Sequence, residues 1–123
     1  MEYSFTISGR LPSLNEYISA MNSNRHAGNK LKQENMTIVS WEIKQQLKNL
    51  KIEKPVIIKF RWYEKNRKRD IDGFSSMGKK VILDSLVECG ILKNDTQEWV
   101  RGFEDGFYID SDNPRIEIII VEA

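Results

Sequence analysis

Apolar residues occupy alternate positions at the start of this chain, where Tyr3, Phe5 and Ile7 are separated by Ser4 and Thr6. A period of two predicts a strand with one covered face, ended by Ser8-Gly9-Arg10. Pro12-Ser13 then opens a short helix, with Ser13 and Glu16 spaced as a capping box. Met21 to Asn29 is polar and Asn-rich and reads as a mobile loop. From Leu31 to Leu50 the period changes: Met36, Val39, Ile43, Leu47 and Leu50 recur at steps of three and four, predicting a longer helix.

Lys54-Pro55 breaks that helix. In the strand that follows, Val56, Ile58, Phe60 and Trp62 face one way, and Ile57, Lys59, Arg61 and Tyr63 the other. A basic loop leads to Asp72-Gly73, the expected start of a second main helix reaching about Glu88, with Gly90 placed as its C-cap. Two strands, Trp99 to Ile109 and Arg115 to Val121, are expected to form an antiparallel hairpin about Ser111-Asp112-Asn113-Pro114. The pattern predicts an α+β fold: a small mixed or antiparallel sheet with two main helices. Ile116, Ile118, Ile119, Ile120 and Val121 leave little polar alternation, so both faces of the last strand should be covered. A second subunit is one possible cover.

At 123 residues, with no repeats and no Pro/Gly-rich linker, the chain reads as one domain, 1–123. Such a domain buries roughly two thirds of its unfolded surface without needing disulfides. Cys89 is the one cysteine, which fits a reducing cytoplasm. No apolar run suits a bilayer, and residues 1–7 alternate like a strand rather than a signal peptide, so no membrane partner is expected. The net charge of +1 conceals an uneven distribution. Lys51 to Asp70 holds eight Lys/Arg against three acids, and Asp95 to Ala123 eight acids against two arginines. Between Lys65 and Arg69 there is no acid, which favours an anionic partner.

Directly after that run come Asp70, Asp72, Lys80, Asp84 and Asp95. Asp70 and Asp72 are two apart in an extended segment and should point the same way. Lys80 and Asp84, four apart, share a helix face, and Asp95 follows where the chain can fold back. Convergent carboxylates repel by up to about 4 kcal/mol per close pair at intermediate dielectric, so a stable cluster implies a counter-ion. Mg²⁺ takes oxygen ligands and supplies activated water and charge neutralisation for phosphodiester hydrolysis. A Cys/His zinc site is not available, since Cys89 and His26 are single.

Duller roles exist for each residue. Asp72 could cap the helix, Asp95 could cap a turn with Glu98, and Lys80–Asp84 could be a surface pair. Asp110-Ser111-Asp112-Asn113 begins like a calcium loop but lacks the later Gly and Glu and reads as a turn. Trp41, Trp62 and Trp99 read as core or dimer contacts, and His26 as a solvated surface residue.

The strings Arg69-Asp70-Ile71-Asp72, Lys80-Val81-Ile82-Leu83-Asp84-Ser85-Leu86 and Gly90-Ile91-Leu92-Lys93-Asn94-Asp95-Thr96-Gln97 resemble the RusA family of Holliday-junction resolvases. Pro12-Ser13-Leu14-Asn15-Glu16-Tyr17 is similar to that family's opening region. The resemblance implies a homodimer that introduces paired symmetric nicks into a four-way DNA junction with Mg²⁺ or Mn²⁺, often in a phage or prophage setting. It assigns Asp70, Asp72 and Asp95 as metal-binding catalytic acids and Lys80 as the catalytic lysine. Asp84 either orients Lys80 or is a fourth acid. Lys65, Arg67, Lys68, Arg69, Lys79 and Asn15 are the expected DNA contacts. Two features depart from the family pattern. The stretch Gly73 to Lys79 is about four residues longer than usual, which makes Lys79 a rival to Lys80, and Asn94-Asp95 replaces an Asp-Asp pair. The alternatives are a flap or branched-DNA metal nuclease, a non-catalytic branched-DNA-binding protein, and an interaction module using the acidic C-terminal stretch.

Overall fold

A computed structural model describes residues 1–123, apart from the side chain of Leu14. The alternating opening forms strand β1, Glu2–Ser8, and helix α1 spans Leu14–Ser23. The N-cap half of the expected capping box is formed: the Glu16 amide donates to Ser13 Oγ at 3.3 Å, while Glu16 Oε1 accepts from the Ser13 hydroxyl at 3.4 Å rather than from its backbone amide.

The polar stretch expected to be a loop is instead a corner between two helices. Asn24 is extended (φ −169°, ψ 157°); its N–H donates to Ala20 O and closes α1. Its Oδ1 accepts from the Ala27 amide at 2.6 Å and opens helix α2, Arg25–Leu47. Gly28 is buried directly against Met21, so the helices pack too closely there for a side chain. Asn and Gly, read as loop residues, are a cap and a close approach. α2 ends at Leu47 rather than Leu50 because Lys48 turns left-handed (φ +54°).

Strand β2, Val56–Glu64, leads to helix α3, Ile71–Glu88. α3 is closed by Gly90 at φ +77°, with the Ile91 N–H donating to Leu86 O. Strands β3, Val100–Ile109, and β4, Arg115–Glu122, complete the chain. The fold is α+β, with three helices and a mixed four-stranded sheet of order β1-β4-β2-β3.

The expected β3–β4 hairpin does not form. β4 pairs antiparallel with both β1 and β2, and β3 lies at the edge, parallel to β2. α3 returns the chain to the start of β2, where Val56 N–H donates to Trp99 O at 2.9 Å, so β3 sets off alongside β2. The connection Asp110 to Pro114 then steps across β2, about 10 Å at two strand spacings, which five residues readily span. Arg115 fastens the crossing: its Nη1 donates to Asp110 Oδ2 at 2.8 Å and to Asn113 O at 3.0 Å, and its guanidinium lies 3.8 Å from the Tyr63 ring centroid. This is the Asp-rich stretch that resembled a calcium loop; it is a turn held by an arginine.

Phe5, Ile7, Ile58, Phe60, Trp62, Ile116, Ile118 and Ile120 form the covered sheet face, packed with Val39 and Ile43 of α2 and Val81, Ile82 and Leu86 of α3. Ile119 points to the other face and is 8% exposed, in register between Ser4 and Lys59 at the centre of the sheet. Its burial therefore needs no second subunit. Edge strand β1 is guarded at Thr6, whose N–H and C=O both bond the Gln46 amide, at 2.8 and 2.7 Å. None of the helices is long and apolar enough to cross a membrane.

Trp62 sets how closely α3 approaches the sheet. A Cβ on Gly78 would lie 2.7 Å from two atoms of the indole ring, and Trp62 is 2% exposed and cannot yield. Gly78→Ala should gain helix propensity yet destabilise the protein by about 1–3 kcal/mol through overpacking, measured as a lower urea midpoint. The Asp110 carboxyl is held below its ordinary value of 3.8, first by the Arg115 hydrogen bond and then, against the opposing effect of burial, by the Asn113 amide. A lowered folded pKa means its stabilisation is complete above 3.8 and is lost as pH falls through the lower folded value. Hydrogen-exchange protection of the Asn113 amide should fall over that acid window in the wild type and show no such step in Asp110→Asn.

Candidate functional site

The face of β2 that carries Val56, Ile58, Phe60 and Trp62 continues one step further to Glu64, a carboxylate on the core side of the sheet. Glu64 is 7% exposed, so it requires cations. Arg69 meets it with two parallel hydrogen bonds, Nε to Oε1 and Nη2 to Oε2, both at 2.8 Å, and Arg10 Nη1 lies 3.5 Å from Oε1. Arg69 Nη1 also donates to Leu11 O at 2.8 Å and Glu16 Oε1 at 3.3 Å, and the guanidinium sits 5.1 Å from the Phe74 ring centroid. Burial opposes the Arg69 charge, but hydrogen bonding and attraction from Glu64, then from Glu16, outweigh it and raise its pKa. Arg69 is therefore a structural clamp and not a free DNA contact. It ties the start of α3 to the end of β2 and to α1.

The clamp displays what surrounds it. Lys65, Arg67 and Lys68 are exposed and make no ion pair among the described residues. Asn66 Oδ1 accepts from the Lys68 amide at 3.0 Å and sets the loop's turn. Asp70 is the N-cap residue of α3, extended and without a side-chain cap bond, and Asp72 lies in the first turn. Both are exposed, and neither makes an ion pair among the described residues. The helix begins at Ile71, so capping is not the role of Asp72, and the two aspartates do not share the expected extended segment: Asp70 is extended and Asp72 helical. Asn15 is exposed at this end as well, one residue before the Glu16 that reaches Arg69.

The two lysines of α3 diverge. Lys79 turns toward β3: its Nζ donates to Asp105 Oδ2 at 2.6 Å and lies 5.2 Å from the Phe103 and 5.7 Å from the Phe60 ring centroids. Asp105 Oδ1 accepts from Trp62 Nε1 at 2.8 Å, so a polar bridge crosses the aromatic edge of the sheet. Lys80 turns toward α2. Its Nζ is 3.2 Å from Asp84, which Lys32 also approaches at 3.2 Å. Lys79 is thus held internally, and Lys80, 59% exposed, is the more available amine.

Asp95 is not brought to Asp70 and Asp72. α3 runs back along β2, and its 18 residues span roughly 27 Å. Asp95 follows at the far end, where Ile52 N–H donates to Ile91 O and Trp99 N–H to Thr96 O, both at 2.9 Å. The expectation that the chain folds back onto the first two aspartates overlooked that β3 must begin beside the start of β2. Among the described residues no three His, Cys, Asp or Glu side chains lie close enough to hold a metal ion. Asp70 and Asp72 still suit Mg²⁺, which commonly takes only one or two carboxylates and completes its shell with water and phosphate.

Part of the charge asymmetry of the sequence is offset along the sheet. Lys59 pairs with Glu104 at 3.6 Å, Arg61 with Glu117 at 3.6 Å, and Lys54 with Glu122 at 4.0 Å. Of the cations from Lys51 to Asp70, Lys51, at the far end, and the loop cations Lys65, Arg67 and Lys68 remain without an ion pair among the described residues. Beside them opens a cleft of about 640 Å³, lined by Asn66, Arg67, Ile71, Phe74, Phe107 and Ile109 among others. It lies beyond the carboxyl ends of the parallel strands β2 and β3, a recurrent place for ligand binding in sheets with helical crossovers.

Glu64 and Asp105 were missed as site residues. Their signal was an acid in phase with an apolar face: Glu64 after Trp62, and Asp105 between Phe103 and Phe107. Of the tryptophans, Trp62 is core, Trp99 lies under Lys93 with Nζ 4.9 Å from its ring centroid, and Trp41 is 61% exposed on α2. His26 is exposed in the first turn of α2.

No model of a known protein family matches the chain, and no curated protein is found as a relative.

Breaking the clamp from one side strands a buried charge. Arg69→Met should cost about 3 kcal/mol in urea denaturation, while Glu64→Leu combined with Arg69→Met should cost clearly less than the two single changes summed.

Proposed function

We propose that this protein is a Mg²⁺-dependent, structure-specific endodeoxyribonuclease acting on branched DNA, a resolvase of the RusA type that works as a dimer. The observation that carries this reading is two carboxylates, Asp70 and Asp72, at the head of α3 beside a loop of three exposed cations, none of the five in an ion pair among the described residues. Two uncompensated acids beside a phosphate-binding loop suit a divalent ion shared between protein and substrate. The RusA-like strings about both aspartates support the same chemistry.

Lys65, Arg67 and Lys68 bind the DNA backbone and set the strand against the head of α3. Asp70 and Asp72 would hold the ion, which when bound would supply an activated water and neutralise phosphate charge. Lys80, exposed although paired with Asp84 at 3.2 Å, would meet a phosphate oxygen, with Asp84 orienting its amine. A branched substrate with two equivalent strands calls for two such sites, hence a two-fold dimer. Asp95 joins Asp70 and Asp72 only if a second copy supplies it. The separation of Asp95 within one chain favours a second reading, a branched-DNA-binding protein without catalysis.

With Mg²⁺ and a synthetic four-way junction, paired symmetric nicks are expected, absent on linear duplex and reduced roughly 10²–10³-fold in Asp72→Asn. Asymmetric single cuts would indicate a flap nuclease. Tight junction binding without cutting, in Mn²⁺ as well, would favour the binding protein. Alanine at Lys65, Arg67 or Lys68 should each lower the slope of log affinity against log salt by up to about 0.9, the value for one lost phosphate contact.

A further inference from the structure

We propose that the cleft between the basic loop and the end of β3 receives one unstacked nucleobase of the bound strand, with the adjoining phosphates on Arg67 and its neighbours. This rests on the nucleic-acid reading above and names the feature of the substrate that the site selects: an unpaired or readily unpaired base next to a branch.

Four properties of the cleft point to this ligand. Its volume of about 640 Å³ lies within the roughly 300–1,000 Å³ common for small-molecule sites. Apolar and aromatic side chains line much of its interior, beside the Glu64–Arg69 pair. Phe107 meets Phe74 edge to face, with centroids 5.9 Å apart at 75°, and remains 40% exposed; Ile109 beside it is 47% exposed. Its wall carries no uncompensated negative charge, since both oxygens of Glu64 are taken by Arg69. Its rim carries Arg67, with Lys65 and Lys68 on the same loop, all exposed and unpaired among the described residues.

An apolar slot with a cationic lip complements a planar ring joined to a phosphate. Bases stack on aromatic side chains whatever their identity, while cations track the backbone. The Asn66 side chain lines the cleft and offers an amide to a base edge; its Oδ1 is engaged with the Lys68 amide.

The test uses the full chain without Mg²⁺ and a four-way junction bearing 2-aminopurine at the branch point, beside a linear duplex with the same label. The expected result is salt-sensitive junction binding and a several-fold rise in 2-aminopurine emission as the base leaves the DNA stack. Phe107→Leu, which keeps apolar volume and removes the ring, should weaken junction binding about tenfold and abolish the rise. Salt-sensitive binding with unchanged emission in the wild type would overturn the cleft assignment and leave the nucleic-acid reading standing. No salt-sensitive affinity would overturn both. Concentration-dependent self-association of the wild type that Phe107→Leu abolishes, with emission unchanged, would assign the cleft to a second copy. The wild-type measurement decides the matter even if Phe107→Leu does not fold.

Discussion

A buried carboxylate that must be neutralised organises the functional end of this protein. Glu64 stands at the end of β2 on the face that otherwise carries only apolar side chains, and it is tolerable there only because Arg69 meets both its oxygens. Arg69 lies five residues further on, across the basic loop. The pairing therefore closes that loop, fixes where α3 begins and, through Leu11 O and Glu16, draws in the start of α1. The exposed loop cations and the two aspartates owe their proximity to this pair.

The path of α3 is the second constraint. Once the helix starts at the clamp, it must run back along β2, and β3 must start where β2 started. That forces β3 to the sheet edge in parallel, places Phe103, Asp105 and Phe107 beside α3, and carries Asp95 to the opposite end. Proximity in sequence between Asp72 and Asp95 thus becomes distance in space. Under the resolvase reading, a third carboxylate must come from another chain.

Local structure was legible wherever one period dominated. β1, β2, the body of α2 and α3 follow their apolar spacing, and the Ser13 cap and Gly90 stop fall where side-chain chemistry placed them. Non-local facts were not legible. Asn24 and Gly28 read as loop residues because a cap between two helices and a turn use the same residue types. The β3–β4 hairpin was inferred from a short connection, yet five residues can equally cross one strand. At the candidate site, the exposed state of Lys65, Arg67 and Lys68 matches the uniform charge of their run. The internal use of Arg69 and Lys79 depended on Glu64 and Asp105, partners whose phase with the apolar face was the available clue.

Under the proposed function, Asp70 and Asp72 together hold a divalent ion beside bound branched DNA. Its most direct test is Mn²⁺ titration of the protein–junction complex, followed by paramagnetic broadening of backbone amide signals. Selective broadening of Asp70 to Gly73 is expected at low Mn²⁺, lost when both aspartates are changed to Asn. Broadening that is uniform across the chain, or that survives those changes, would contradict it.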